Sequence, residues 1–82
     1  MYQFFISNYF DLGNYNMKNM LKVERAKLNL TQEDLAKRIG VSRQTINSIE
    51  KGKYIPSTLL TLKMSRVFGV PVNSFFELTE ED

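Results

Sequence analysis

The feature that most constrains the fold of this chain is a short link between two helical segments. The first segment, Gln32–Ile39, follows Thr31, and Asp34 stands where the partner of a capping box is expected. Gly40 suits the left-handed conformation that ends such a helix, and Ser42 is a good N-cap for the next one. Because a glycine-containing turn of three or four residues sets two helices at roughly 90–120°, the link predicts a fixed crossing angle.

Similar start and stop signals recur along the chain and predict five short helices. They are expected at Lys18–Leu28, at Gln32–Ile39, at Arg43–Lys51, from Pro56-Ser57 to Phe68, and in a last short turn opened by Pro71 and Asn73. The stretch "FFEL" that follows can alternatively form a short strand. The pattern therefore predicts a compact all-α fold.

The apolar positions of these helices predict one hydrophobic core, as expected for a chain of 82 residues. Its predicted members are Leu21, Leu30, Leu35, Ala36, Ile39, Val41, Ile46, Ile49, Leu60, Met64, Val67, Phe68, Val70 and Phe75.

Composition argues against catalysis. The chain has no cysteine and no histidine, which removes disulfides, the usual zinc ligands and the commonest general base. No cluster of carboxylates has the spacing of a metal-binding loop, so no metal or cofactor is predicted. Residues 17–76 hold all eleven lysines and arginines but four acidic residues, a net charge of +7, whereas the whole chain carries +2. A basic body of this kind suits a polyanion, and nucleic acid is the leading candidate.

The third predicted helix combines a small apolar anchor with a polar outer face. At about 100° per residue, Ile46 and Ile49 fall together on the helical wheel. The opposite arc carries Arg43, Gln44, Asn47, Ser48 and Lys51. Arginine makes bidentate contacts with guanine, and glutamine and asparagine make them with adenine. This face is therefore suited to reading base edges.

The crossing angle and this face together indicate a helix-turn-helix arrangement. In such an arrangement the second helix of the pair enters the major groove, and the first crosses the DNA backbone. Gln32, in the first turn of the first helix, would then direct its amide at a phosphate.

The stretch "LTQEDLAKRIGVSRQTINSIEKGKYIPS" resembles the Cro/repressor-type (Xre-like) transcriptional regulators, and the likeness extends over about Met17 to Phe76. It is most similar to the short dimeric, single-domain subgroup. The resemblance implies a five-helix, lambda-repressor-like DNA-binding domain. The base-facing set that it implies is Ser42, Arg43, Gln44 and Ser48, with Asn47 on a base or on the backbone. The implied backbone-facing set is Gln32, Lys51, Lys53 and Tyr54, with Thr45 at its edge.

The resemblance also implies a buried ion pair between Arg25 and Glu50 that ties the first helix to the third. The sequence departs from the family pattern at Glu24, where many relatives have a core leucine. No large C-terminal sensor domain and no small-molecule ligand are expected.

A second departure is the aromatic-rich segment at the N-terminus. Residues 1–16 contain six tyrosines and phenylalanines and no lysine or arginine, and we expect them to form an extension of a DNA-binding domain at 17–82. The stretch "YQFFI" is prone to form a strand. A strand from this segment, paired with "FFEL", would make a small two-stranded sheet.

These observations predict a sequence-specific DNA-binding regulator, a repressor, that reads a palindromic operator as a homodimer through helix 43–51. The expected dimer contact comprises Val72, Phe75, Phe76 and Leu78. The protein is expected in the cytoplasm at the nucleoid, without membrane contact. An alternative with the same fold is an antitoxin-type interaction module whose N-terminal segment grips a toxin, and a co-transcribed toxin-like gene would favour it.

Overall fold

The computed structural model describes residues 15–80, which form four α-helices and one two-stranded antiparallel sheet. In chain order the elements are β1 (Tyr15–Asn19), α1 (Leu21–Lys27), α2 (Gln32–Ile39), α3 (Arg43–Glu50), α4 (Thr58–Phe68), a 3₁₀ turn (Val72–Ser74) and β2 (Phe76–Glu80).

Local signals in the sequence fix the ends of α2 and α3. The Thr31 hydroxyl accepts a hydrogen bond from the Asp34 N–H, and the Asp34 carboxylate accepts one from the Thr31 N–H, which completes the capping box. Gly40 ends α2 in the left-handed region at φ 79°. Ser42 then caps α3 by accepting from the Thr45 N–H. The short link between α2 and α3 is therefore confirmed, and it brings the two helices into close packing.

The prediction of five helices is wrong at both ends of the domain. The first helix begins at Leu21 rather than Lys18, because Tyr15–Asn19 pairs with Phe76–Glu80 as a strand. The expected fifth helix is a single 3₁₀ turn that leads directly into β2.

The small sheet between the N- and C-terminal segments is confirmed, with Asn19 opposite Phe76 and Met17 opposite Leu78. Strand β1 includes residues from both sides of the expected boundary between 16 and 17, and that division of the chain stays a prediction. The strand expected at "YQFFI" lies outside the described residues.

The predicted core is confirmed. Ten of its fourteen members belong to one buried cluster, Leu30 is buried beside them, and three valines are half-buried against the cluster. These valines are Val41, Val67 and Val70. Phe75 is central to the core, since its ring packs edge-on against Phe68 at 5.1 Å and lies 5.2 Å from the ring of Phe76.

Phe76 corrects the prediction of a dimer contact. Phe76 was expected in the dimer contact together with Phe75, which was also predicted in the core, and the two rings are 8% and 1% exposed within the single chain. Both rings are held in the core because β2 pairs with β1 and directs Phe76 inward. Leu78 remains on the surface, and Val72 is half-buried.

Glu24 is buried in α1, at the position where a core leucine was expected from the family pattern. Its carboxylate accepts a hydrogen bond from Lys27 Nζ at 3.2 Å, one turn further along the helix. A buried carboxylate requires a partner of this kind, and the pair allows α1 to pack without the leucine.

Candidate nucleic-acid interface

Helix α3 is anchored by two residues and presents the rest of its surface outward. Ile46 and Ile49 are fully buried, as their places on the wheel predict. Arg43 and Gln44 are exposed, and Asn47 and Ser48 are half-buried on the same outer side. The base-facing side chains predicted from the sequence therefore lie on one accessible face.

A buried ion pair holds α3 against α1. Arg25 Nε lies 2.6 Å from Glu50 Oε2, and Arg25 Nη2 lies 3.0 Å from Glu50 Oε1, which is a bidentate arrangement. The two side chains are 12% and 8% exposed. Arg25 also donates from Nη1 to the Leu30 carbonyl at 2.9 Å. The ion pair expected from the family resemblance is therefore present, and it uses the one acidic side chain of α3.

The protonation of Glu50 follows from this environment. Burial alone would raise the pKa of its carboxyl group. The hydrogen bonds from Arg25 and Gln32, together with the Arg25 charge, outweigh burial and hold the pKa of Glu50 below its ordinary value. The carboxylate is therefore ionised at neutral pH and accepts charge-assisted hydrogen bonds from Arg25 and Gln32.

Gln32 connects the ion pair to the outer face of α3. Its Nε2 donates to Glu50 Oε1 at 3.0 Å and to Asn47 Oδ1 at 3.3 Å. Its Oε1 accepts from Arg43 Nη1 at 3.1 Å. The structure thus brings three predicted site residues together, and both amide hydrogens of Gln32 are engaged within the protein. The phosphate contact expected for Gln32 stays a prediction.

A second group of predicted site residues lines an open groove of about 420 Å³ beside α3. Its lining comprises Ser42, Gln44, Thr45, Ser48, Lys53 and Tyr54. The Ser42 and Thr45 hydroxyls lie 2.9 Å apart at the start of the helix, while Lys53 and Tyr54 reach the groove from the loop after it. Lys51 is exposed at the C-cap of α3 and lies outside this lining.

The acidic residues nearest to this surface are occupied by local contacts. Asp34 belongs to the capping box of α2, and the hydrogen bond that its carboxylate accepts from the Thr31 N–H, followed by the interaction with the Thr31 side chain, lowers the pKa of its carboxyl group. Glu33 lies 3.9 Å from Lys37 on the exposed side of α2. The cationic side chains of the outer face, Arg43, Lys51 and Lys53, are all exposed.

One residue that contacts α3 was missed in the sequence. Asn19, in β1, donates a hydrogen bond to the Ile49 carbonyl at the C-terminal end of α3. No local signal indicates this contact, because the two residues are 30 positions apart. It depends on the pairing of β1 with β2, which places Asn19 beside the helix end.

The comparison with protein families agrees with this geometry. The family model for helix-turn-helix proteins matches residues 21–75, from the start of α1 to Phe75, the residue after the 3₁₀ turn. The chain belongs to the Xre-like helix-turn-helix family. This family comprises DNA-binding transcriptional regulators and is not a class of enzymes.

Individual relatives support the assignment. An uncharacterised helix-turn-helix-type transcriptional regulator of Methanocaldococcus jannaschii is 59% identical over 66 residues, which cover 80% of this chain and 98% of the relative. A similar regulator of Bacillus subtilis is 46% identical over 66 residues, covering 80% of this chain and all of the relative.

A solved structure extends the likeness to the fold. The restriction-modification controller protein of Aeromonas hydrophila matches with a TM-score of 0.60 and 26% identity, over 65% of this chain and 80% of that protein. The chain is therefore a transcriptional regulator with a helix-turn-helix DNA-binding domain. Within residues 15–80, none of the helices has the length and apolar character needed to cross a membrane.

Proposed function

We propose that this regulator is a repressor that reads a palindromic operator as a homodimer, with the recognition helix α3 in the major groove. The observation that carries the proposal is the outer face of α3. It combines Arg43, Gln44, Asn47 and Ser48, while the acidic Glu50 is turned inward to Arg25. We place the protein in the cytoplasm, at the nucleoid.

The division of labour on this surface follows from its chemistry. Arg43 and Gln44 are exposed at the start of α3 and would contact base edges, where a good bidentate contact is worth about 1–3 kcal/mol of discrimination. Lys51, Lys53 and Tyr54 lie at and after the end of the helix and would contact phosphates. Such contacts add affinity without sequence preference.

Dimerisation is proposed because one domain of this size contacts few base pairs. Two copies related by a two-fold axis would place their recognition helices about 34 Å apart, one turn of B-DNA. With Phe75 and Phe76 in the core, the proposed contact keeps Val72 and the exposed Leu78 from the predicted set. Repression would follow where the operator overlaps a promoter, because the bound dimer occupies the site that polymerase needs.

Selection of binding sites from random duplex DNA by the purified protein tests this proposal. We expect a palindromic consensus whose half-sites are about one helical turn apart. Fluorescence anisotropy should then show tighter binding to the full palindrome than to a single half-site or a scrambled duplex. Recovery of DNA without a consensus would refute sequence-specific recognition, and a consensus without two-fold symmetry would refute the dimer.

Repression is tested separately, with a reporter gene driven by a promoter that overlaps the selected operator. We expect co-expression of the protein to lower the reporter signal, and a scrambled operator to restore it. A higher signal in the presence of the protein would contradict repression while leaving DNA recognition intact.

A further inference from the structure

We propose that Asn19 is a positioning residue for the recognition helix, so that strand β1 contributes to sequence discrimination by holding the end of α3. The inference rests on the proposed function of α3. It concerns how the helix is held at the angle that its base contacts require.

The contacts of Asn19 connect three elements. Its Nδ2 donates to the Ile49 carbonyl at 3.0 Å and lies 3.5 Å from the Glu50 carbonyl. Its Oδ1 accepts from the Leu21 N–H at 3.3 Å, at the start of α1. One side-chain amide therefore bridges the N-terminal end of α1 and the C-terminal end of α3.

The C-terminal end of α3 has backbone carbonyl groups that need hydrogen-bond donors such as the Asn19 side-chain amide. The last carbonyls of a helix have no partner within the helix and are satisfied by turns, side chains or water. The Gly52 N–H already reaches the Ile49 carbonyl at 3.0 Å, and the Lys53 N–H reaches the Ser48 carbonyl at 2.9 Å. Asn19 adds a donor from outside the turn, so it ties the helix end to another element of the domain.

The sheet fixes the position of Asn19. Asn19 pairs across the sheet with Phe76, whose ring is buried in the core. The next residue of the chain, Met20, donates its N–H to the Phe75 carbonyl at 2.8 Å. Since both phenylalanines are buried, the backbone that carries Asn19 cannot shift without disturbing the core.

Arg25 and Asn19 therefore attach α3 at two different groups. Arg25 binds the side chain of Glu50, whereas Asn19 binds the backbone at Ile49. The base-facing Asn47 and Ser48 immediately precede this end of the helix. Loss of the Asn19 attachment would let the C-terminal end of α3 move, which would weaken base contacts more than the charge-driven contacts to phosphates.

The test compares Asn19→Ala and Asn19→Asp with the matched control Asn16→Ala. Asn16 is an exposed asparagine of the same strand, and the hydrogen bond it receives from Thr79 is to its main-chain carbonyl, which the substitution retains. Asn19→Asp retains the acceptor for the Leu21 N–H but removes the donor to Ile49. Affinity for the selected operator and for scrambled DNA is measured by anisotropy, with amide hydrogen exchange at residues 51–53 and thermal unfolding alongside.

We expect Asn19→Ala to weaken operator binding by about threefold to tenfold, the range that corresponds to one hydrogen bond. Binding to scrambled DNA should change by less than about twofold, since phosphate contacts are retained. Exchange at residues 51–53 should accelerate. Asn19→Asp should weaken operator binding at least as much, because its carboxylate faces carbonyl oxygens, whereas Asn16→Ala should behave as wild type. If Asn19→Asp does not fold, Asn19→Ala carries the test.

The ratio of operator affinity to scrambled-DNA affinity separates the possible failures. If the Asn19 variants lower the unfolding temperature but keep the wild-type ratio, Asn19 is merely structural and the inference is overturned, while the proposed function stands. If the wild-type protein itself shows no preference for an operator, the proposed function is overturned and the inference with it.

Discussion

Glu50 shows how one side chain determines what α3, the proposed recognition helix, presents to solvent. Helix α3 carries this single acidic residue, and Arg25 contacts both of its carboxylate oxygens. The negative charge is thereby neutralised inside the domain rather than placed on the outer face of α3. At the scale of single residues, the Arg25–Glu50 ion pair therefore both stabilises the fold and keeps negative charge off the outer face of α3.

Glu50→Ala should lower the free energy of unfolding by about 3–5 kcal/mol, because it leaves the buried Arg25 without its counter-charge. Urea unfolding followed by circular dichroism measures the loss. Glu33→Ala is the matched control, since the Glu33–Lys37 pair is exposed and such pairs contribute about 0–1 kcal/mol. Equal losses for the two variants would show that the Arg25–Glu50 pair has no special role.

The same pair should give stability a defined dependence on pH. The pKa of Glu50 is lower in the folded protein than in the unfolded chain, where it is about 4.5. Its carboxylate therefore stabilises the fold fully above that pH, and the contribution is lost as the pH falls through the lower folded-state pKa. The difference in unfolding free energy between wild type and Glu50→Gln should shrink as the pH falls below the unfolded-state pKa and through the lower folded-state pKa. A difference that is constant over this interval would contradict the assignment.

At the scale of elements, the sequence predicts best where the determinants are local. The bounds of α2 were predicted from a capping box at one end and a glycine at the other, and the structure has the same bounds. Strand β1 was not predicted at Tyr15–Asn19, because "YNMKN" has no β-prone alternation. It is a strand because β2 offers it a partner, and such tertiary context overrides local propensity.

Gly40 is the element-scale test, because the crossing of α2 and α3 depends on its left-handed backbone. A Cβ at this position would meet nothing within 4 Å, so the cost of Gly40→Ala is backbone strain alone. We expect a loss of about 1–2 kcal/mol in the free energy of unfolding, measured by urea denaturation. Gly40→Asn should lose less, because asparagine tolerates this conformation. Equal losses for the two substitutions would contradict a conformational cause.

At the scale of the whole molecule, the interface residues could be predicted as a group because all of them except Gln32 lie in α3 or in the segments that adjoin it. The contacts that hold these residues in place could not be predicted from the sequence. Gln32 meets Asn47 across 15 positions, and Asn19 meets Ile49 across 30. Phe76 was predicted in the dimer contact but is buried in the core for a similarly long-range reason, because its burial depends on the pairing of the two terminal segments.

The proposed dimer contact can be tested by comparing two exposed leucines. Leu78→Glu should convert the dimer to a monomer in multi-angle light scattering, because it puts a charge into the proposed apolar contact. Leu59→Glu, at an exposed leucine of α4, should leave the dimer intact. If Leu59→Glu gives a monomer and Leu78→Glu leaves the dimer intact, the dimer contact lies on α4 instead. Wild-type protein that is monomeric at micromolar concentration would contradict the proposal of a dimer.

The most direct test of DNA reading by α3 compares Arg43→Ala with Lys53→Ala across a set of single-base operator variants. Arg43→Ala should cost about 1–3 kcal/mol on the best operator and abolish the preference at one position. Lys53→Ala should weaken binding to all variants alike and reduce the salt dependence by about one unit of slope. Identical profiles for the two variants would contradict the separation of base and phosphate contacts. Wild-type binding by both would show that this face of α3 does not meet DNA.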